Sequence, residues 1–320
     1  MNLLSKTLAL GAVALWMTSS GAQPAYPGKP IRLIVPAPAG GPSDAAARAL
    51  AKGMTASLGQ EVMVENRPGG NSGIGAGAVL NSVPDGHTLL FALGANVGLP
   101  HLSKASPYKS ITEFTPVAAI GGNTQCLVVP ASLPPKSLAE FVSYAKASPK
   151  PLMRGSNNAA EDMVAGQVSS AFGVALERVP YKGAPQLLPD LLEARIQVAV
   201  LPVGASVPHV KSGRLTMLGC SIAERIAALP TVPTLAESGV TAAPLITAHF
   251  VVGPPRLPAD VVSRLAAAAQ QAAQSAEFKQ EMERLLIVGK VRSPAETREL
   301  MLQAEAQYVQ FVRETGASID

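Results

Sequence analysis

The stretch from Ile31 to Asp44 limits what this chain can fold into more than any other. It opens with IRLIV, a short apolar run rich in branched residues, which predicts a buried strand. It closes into AAARALAKGM, whose composition and apolar spacing predict a helix. Between them lies PAPAGGPSD. Gly40 and Gly41 allow backbone shapes closed to other residues and leave room for a close approach. Ser43 or Asp44 is placed to cap the helix. A strand, a glycine loop and a helix N-terminus in that order form an anion site, because free N–H groups and the helix dipole point the same way. The same residues also suit a capped connection that holds nothing.

The N-terminus sets the compartment. Residues 1–22 have the three parts of a secretory signal: Lys6, an apolar run from Leu8 to Met17, and small residues at Ser20-Gly21-Ala22. That run is too short to span a membrane as a helix, and no later segment is apolar enough. The expected mature protein is exported to the periplasm. The formal charge is +4, and removal of Lys6 alone leaves +3. With charges spread out and 4% aromatic residues, nucleic-acid binding has no support. The mature length, about 300 residues, is enough for two domains with real cores.

Short apolar runs alternate with helical patterns throughout. EVMVE at Glu61–Glu65 and HTLLFAL at His87–Leu93 follow the first strand, and a parallel sheet is expected there. A second series of the same kind begins near Ile120. It includes a helix from Ser137, strands at Pro151–Gly155, Glu177–Pro180, Arg195–Leu201 and Leu215–Ser221, and a helix at Ala160–Phe172. A Pro-rich connector then leads to a strand at Thr247–Gly253, and Ala-rich helical segments follow, broken near Ser275 and Ser293-Pro294. The expected architecture is an α/β fold with two lobes, 23–117 with 224–320 and 118–223. A ligand cleft then lies where the carboxyl ends of the strands face each other.

The second lobe carries a loop like the first. Arg154-Gly155-Ser156-Asn157-Asn158-Ala159 joins a strand to a helix, and the two loops could grip one carboxylate through backbone N–H groups. Glu161 and Asp162 occupy that helix's first turn, where acids suit the dipole. Motifs for a serine hydrolase elbow, a zinc protease or a Walker loop are absent. His87, His101, His209 and His249 are scattered, and no metal or cofactor is expected. Gly73-Ile74-Gly75-Ala76-Gly77-Ala78 fits GxGxxA, but it lies past the strand rather than on its turn, so close helix packing is the reading preferred. Cys126 and Cys220 lie in no CxxC. In an oxidising compartment they can form one disulfide, or else serve as two buried thiols.

Seven segments in order carry a resemblance: YPGKPIRLIVPAPAGGPSD, VENRPGGNSGIGA, PDGHTLL, VPYKGA, LPDLLEARIQVAV, PHVKSGRL and ALPTVPTLAESGV. Together they resemble the extracytoplasmic solute-binding proteins of tripartite tricarboxylate transporters, the Bug (Bordetella uptake gene) family. The resemblance runs from about Tyr26 to the C-terminus. It implies a type II periplasmic-binding-protein fold, a Venus flytrap, that closes on a small carboxylate and delivers it to membrane permease subunits. It implies a monomer, no catalysis and no cofactor. By the same resemblance the ligand contacts fall at Ala39, Gly40, Gly41, Ser43 and Asp44, and at Ser156, Asn157, Asn158 and Ala159. Gly94-Ala95-Asn96 and Tyr181-Lys182-Gly183 are further contacts it implies.

This chain departs from the family pattern in several places. Ala37 replaces a common aromatic, Ala159-Ala160-Glu161 a Gly-Thr-Ser run, Met163 a His and Leu201 an Asp. Arg154 stands where a small residue is usual. It either grips the carboxylate in place of the missing donors or sits solvated at the surface. An exported enzyme working in the same cleft, and a ligand-sensing partner of a signalling receptor, are the competing functions. The first testable consequence is a mature N-terminus near Gln23. Mass analysis of the exported protein checks it, and a retained Met1 or Lys6 is the contrary result.

Overall fold

The computed structural model describes residues 26–319 except 227, 243, 244 and 246. The signal reading of residues 1–22 lies outside these. The first sheet contains β1 (Ile31–Val35), β2 (Val62–Asn66), β3 (Thr88–Ala92), β4 (Thr115–Asn123), β10 (Ala248–Gly253) and β11 (Ile287–Val288), in the order β11-β4-β10-β3-β1-β2. The second contains β5 (Gln125–Pro130), β6 (Leu152–Ser156), β7 (Leu176–Pro180), β8 (Val198–Pro202) and β9 (Leu215–Ser221), in the order β7-β6-β8-β5-β9. The helices are α1 (Pro42–Leu58), α2 (Gly73–Leu80), α3 (Gly94–Leu102), α4 (Leu138–Ala147), α5 (Ala159–Phe172), α6 (Ala184–Leu192), α7 (Val203–Lys211), α8 (Ala259–Ala272), α9 (Ala276–Arg284) and α10 (Pro294–Thr315).

Both sheets are mixed. β1 pairs in parallel with β2 and β3, and β6 with β7 and β8. β10 runs antiparallel to β3 and β4, and β5 antiparallel to β8 and β9. The parallel expectation therefore holds for strands linked by their own crossover helix. It fails for β5 and β10, which the chain reaches by passing between sheets and which enter from the opposite end, and for the two-residue edge strand β11, antiparallel to β4.

That passage is abrupt. β4 ends at Asn123 in the first sheet and β5 begins at Gln125 in the second, with Thr124 alone between them. β4 runs in the direction of β3, so Asn123 lies at the carboxyl edge of the first sheet. Gln125 pairs with Pro202 at the carboxyl end of β8. The two carboxyl edges thus meet at Thr124. The chain leaves the second sheet at Ser221, opposite Gln125, and re-enters the first at Ala248. The crossings are sewn together: the Thr247 hydroxyl donates to the Asn123 carbonyl. A Cβ on Gly122 would come within 2.4 Å of the Thr247 carbonyl oxygen, so a side chain there would force the two crossings apart.

Period-two alternation decides which face each residue meets. Ile31, Leu33 and Val35 of β1 point to α1 and α8, while Ile34 points to the opposite face. In β5, Cys126 and Val128 face α6 and α7, whereas Leu127 and Val129 join the cluster around Ile34, Leu90, Val164, Tyr308 and Phe311. One apolar core therefore spans both sheets, filled by α3, α5 and α10. Each fully buried Leu or Ile in it contributes about 1.5–3 kcal/mol.

Several helix ends follow their sequence signals. Gly59 stops α1 in the left-handed conformation (φ 68°), and Ser137 caps α4 by accepting from the Glu140 N–H. Ser293 and Glu296 form a capping box on α10. The cap of α1 differs from expectation. Gly41 is its N-cap, Pro42 its first helical residue, and neither Ser43 nor Asp44 caps it in the expected sense. Gly94-Ala95-Asn96, which the resemblance implies as contacts, open helix α3 (Gly94–Leu102).

Cys126 and Cys220 are direct partners across β5 and β9, one residue inside the crossing, and form a disulfide. It closes a span of 94 residues. On the chain-entropy model such a loop adds about 4–5 kcal/mol. Alkylation of the unfolded, unreduced protein is expected to label no thiol, and prior reduction to expose two. Intact mass reads both, and two labelled thiols without reductant would be the opposite result.

Candidate functional site

A helix that follows a parallel strand starts at that strand's carboxyl edge. The first turns of α1, α2 and α3 therefore border the junction at Thr124 from one side, and those of α5, α6 and α7 from the other. Backbone N–H groups in a helix's first turn have no acceptor within it. Several of these ends are already engaged. A Cβ on Gly204 in α7 would lie 2.7 Å from the Leu285 carbonyl oxygen, so that end is covered by the segment after α9. The glycines of GxGxxA fit tightly too: Gly73 abuts Leu99, Gly75 the Arg67 carbonyl and Pro36, and Gly77 Pro107.

The first loop is braced from inside. Asp44 is buried, and its Oδ2 accepts from the Gly40 N–H at 3.0 Å and from Arg48 Nε at 2.9 Å. Its Oδ1 accepts from Asn66 Nδ2 at 2.9 Å. These donors hold the carboxyl below its ordinary range although burial alone would raise it. Asp44 and the Gly40 N–H thus hold the loop in shape rather than facing a ligand. Gly40 takes positive φ (81°), which favours glycine. Gly41 is extended (φ −81°), with Pro38 O 3.7 Å from its would-be Cβ. Ala39 and Gly40 are exposed, and Gly41 and Ser43 are half-buried. Among the described residues the N–H groups of Ser43 and Asp44 have no partner, and the Ser43 hydroxyl meets only His249 Nε2, at 3.5 Å.

Beneath Ser43 lies His249, a residue the sequence did not single out. It is buried and stacks on Phe91 with ring centres 5.1 Å apart. Its Nδ1 is 3.0 Å from the Gly121 carbonyl, which can only accept, so the neutral ring carries its proton there. Nε2 is then an acceptor, 3.2 Å from Asn123 Nδ2 and 3.5 Å from Ser43 Oγ. Burial lowers this imidazole to about 4. A histidine inside the apolar strand AHFVVG was the available signal.

Asn96 is fully buried and structural: its Oδ1 accepts from the Leu93 N–H and its Nδ2 donates to the Ser72 carbonyl. Its carbonyl accepts from the Tyr108 hydroxyl. Gly94 and Ala95 keep open first-turn N–H groups on α3.

The second loop repeats the brace. Glu161 Oε2 accepts from the Asn157 N–H at 2.8 Å, and Oε1 accepts from Asn157 Nδ2 at 2.7 Å and Asn158 Nδ2 at 3.0 Å. Asn158 is the N-cap, its Oδ1 accepting from the Glu161 N–H. Glu161 is fully buried, and desolvation raises its carboxyl to about 8 against the pull of those donors. Ala159 and Ala160 are buried, and their first-turn N–H groups have no partner among the described residues. Ser156 is fully buried, and its Oγ has no partner among the described residues. The Gln125 Oε1, beside Thr124, is likewise buried without one.

Arg154 fits neither expectation. It is 8% exposed, and its Nη1 donates to Asp162 Oδ1 at 2.6 Å, with Arg178 on the same carboxylate. Tyr181 is held to Ser156 by its backbone N–H, but its hydroxyl donates to Asp190. Lys182 is exposed, its N–H engaged by Gln186, and Gly183 is the N-cap of α6. Two surface hollows, one around His101 of α3 and Glu305 of α10 and one beside α9 and Gly121, include none of the residues expected to contact the ligand.

Comparison with known proteins extends these observations. A family model described as the tripartite tricarboxylate transporter family receptor matches residues 46–310. A UPF0065 protein of Bordetella bronchiseptica is 31% identical over 264 residues, covering 82% of this chain and 78% of its own. The structure of the periplasmic binding protein BugD superposes with a TM-score of 0.82 at 26% identity, covering 92% of this chain and 99% of its own. An R. palustris protein solved with adipate gives 0.82 at 28% identity, covering 92% and 99%.

The buried titratable pair sets a pH profile with two signs. Unfolded His249 binds a proton below about 6.5 and the folded ring only below about 4, so unfolding takes up a proton between them and stability falls as pH drops through that window. Folded Glu161 keeps its proton up to about 8 and the unfolded acid only to about 4.5, so stability falls as pH rises across that range. Urea melts at a series of pH values are expected to show His249→Gln flattening the acid side and Glu161→Gln the alkaline side.

Proposed function

The chain belongs to the tripartite tricarboxylate transporter receptor family, and from that premise we propose that it is a periplasmic receptor that captures a small carboxylated solute between its lobes. It would deliver that solute to the membrane permease subunits of such a transporter without converting it. The reading is supported above all by the junction at Thr124, where the strand order brings the N-terminal ends of α1, α3 and α5 to the facing carboxyl edges of the two sheets. N–H groups at helix ends, aided by the dipole, suit a carboxylate. The Ser43 hydroxyl adds a side-chain oxygen at the same place, above a polar floor made by the His249 Nε2 and the Asn123 amide. Support for an acid as ligand also comes from the R. palustris relative solved with adipate.

Removal of residues 1–22 and release as a monomer complete the proposal. Receptor work needs donors and two lobes, and the buried acids Asp44 and Glu161 serve that need by shaping the loops.

A thermal-shift screen across mono- and dicarboxylates, followed by calorimetric titration, tests this reading. A ligand at 100-fold excess over its dissociation constant is worth about 2.7 kcal/mol of stability. Ser43→Ala is expected to weaken binding by about 0.5–1.5 kcal/mol, the value of one hydrogen bond. Gly41→Val, at an extended backbone position, keeps the loop but puts a branched side chain over the α1 N-terminus, and binding should be lost. Arg154→Ala is expected to lower stability with little change in affinity. Undiminished binding by Gly41→Val would remove the main-chain grip, and conversion of the bound acid to product would make the protein an enzyme.

A further inference from the structure

The two loops are built alike but are left with different chemistry. In each, an acid in the first helical turn reaches back four residues to a loop N–H: Asp44 to Gly40 and Glu161 to Asn157. Asp44 also has a cation in contact, Arg48, and takes one loop N–H. Glu161 takes three loop donors, the Asn157 N–H and both asparagine amides. The guanidinium nearest in sequence, that of Arg154, is committed to Asp162. We infer that Glu161 fills the second lobe's half of the carboxylate grip from within the chain, so that the ligand carries a single carboxylate, held by the first lobe, and presents an uncharged polar end to the second. This rests on the receptor reading above and names the class of its solute.

The remaining groups of the second loop agree with that division. Ser156 Oγ is fully buried with no partner among the described residues, next in sequence to the asparagines that hold Glu161. A hydroxyl can both donate and accept, which suits a ligand hydroxyl, carbonyl or amide. Ala159 and Ala160 contribute no side-chain donor. Protonated or ionised, the Glu161 carboxyl keeps its three donors. A second ligand carboxylate would have to displace it or lie beside it, where the nearby cation Arg154 is already paired with Asp162, and an unpaired buried charge is costly.

Titration of the mature protein with matched acids tests this: succinate against 4-hydroxybutanoate, glutarate against 5-hydroxypentanoate, and adipate against 6-hydroxyhexanoate. The parent protein is expected to prefer the hydroxy acid in the pair that binds best by about tenfold or more. Glu161→Ser, shown folded by its cooperative melt, frees the three donors and should narrow or reverse that ratio. A diacid bound as tightly as its hydroxy acid by the parent overturns the inference while leaving the receptor reading intact, and so does an unchanged ratio in folded Glu161→Ser. If Glu161→Ser does not fold, the parent's ratio decides alone. No binding by any of the six acids overturns the carboxylate reading, and this inference with it.

Discussion

Everything at the site depends on the passage of the chain through Thr124. A single residue between two strands leaves no slack, so the carboxyl edges of both sheets must abut. The return strand then has to enter beside the outgoing one, and Gly122 is what lets the Thr247 carbonyl come that close. Once those crossings are set, the positions of the helix N-termini follow from connectivity. Of the strands that break the parallel pattern, β5 and β10 are those the crossings deliver from the opposite end.

The loops at those N-termini would be loose if left to glycine and alanine. Each is held by a buried carboxyl that accepts from its own backbone, which removes some donors from the cleft and stiffens the rest. A site shaped before its ligand arrives has less to order on binding. The cost is burial of an acid, offset in the first loop by Arg48 and Asn66 and in the second by three N–H donors. The pairing of Arg154 with Asp162 belongs to this framework, as it sits under α5 rather than at the mouth of the loop.

Strands and helix ends were legible because their signals are local: alternation in IRLIV and HTLLFAL, Gly59 after α1, Ser137 and Ser293 before α4 and α10. The two strand–loop–helix connections were legible because glycine and asparagine before a helix favour loops and caps. What escaped was long-range. Which first-turn N–H groups stay open depends on where Asp44 and Glu161 turn their side chains, and a capping position does not reveal that. His249 was hidden because its partners, Gly121, Asn123 and Ser43, come from other elements. Arg154 looked exposed or ligand-bound only because Asp162, one turn into α5, could not be seen beneath it.

The helix α10 joins the two halves in a way that the binding loops do not disclose. Tyr308 sits where a Cβ on Gly98 of α3 would be 2.4 Å away, and Phe311 where one on Gly166 of α5 would be 2.6 Å away. The two rings, less than one turn apart, occupy notches on opposite lobes. Rotation of α10 about its own axis is thereby locked at both ends of a lever whose arms reach different sheets. A methyl group added at Gly98 or Gly166 touches no ligand atom, yet it would tilt one lobe against the other. The angle between the lobes is thus tied to two glycines within α3 and α5, on whose notches the α10 rings close.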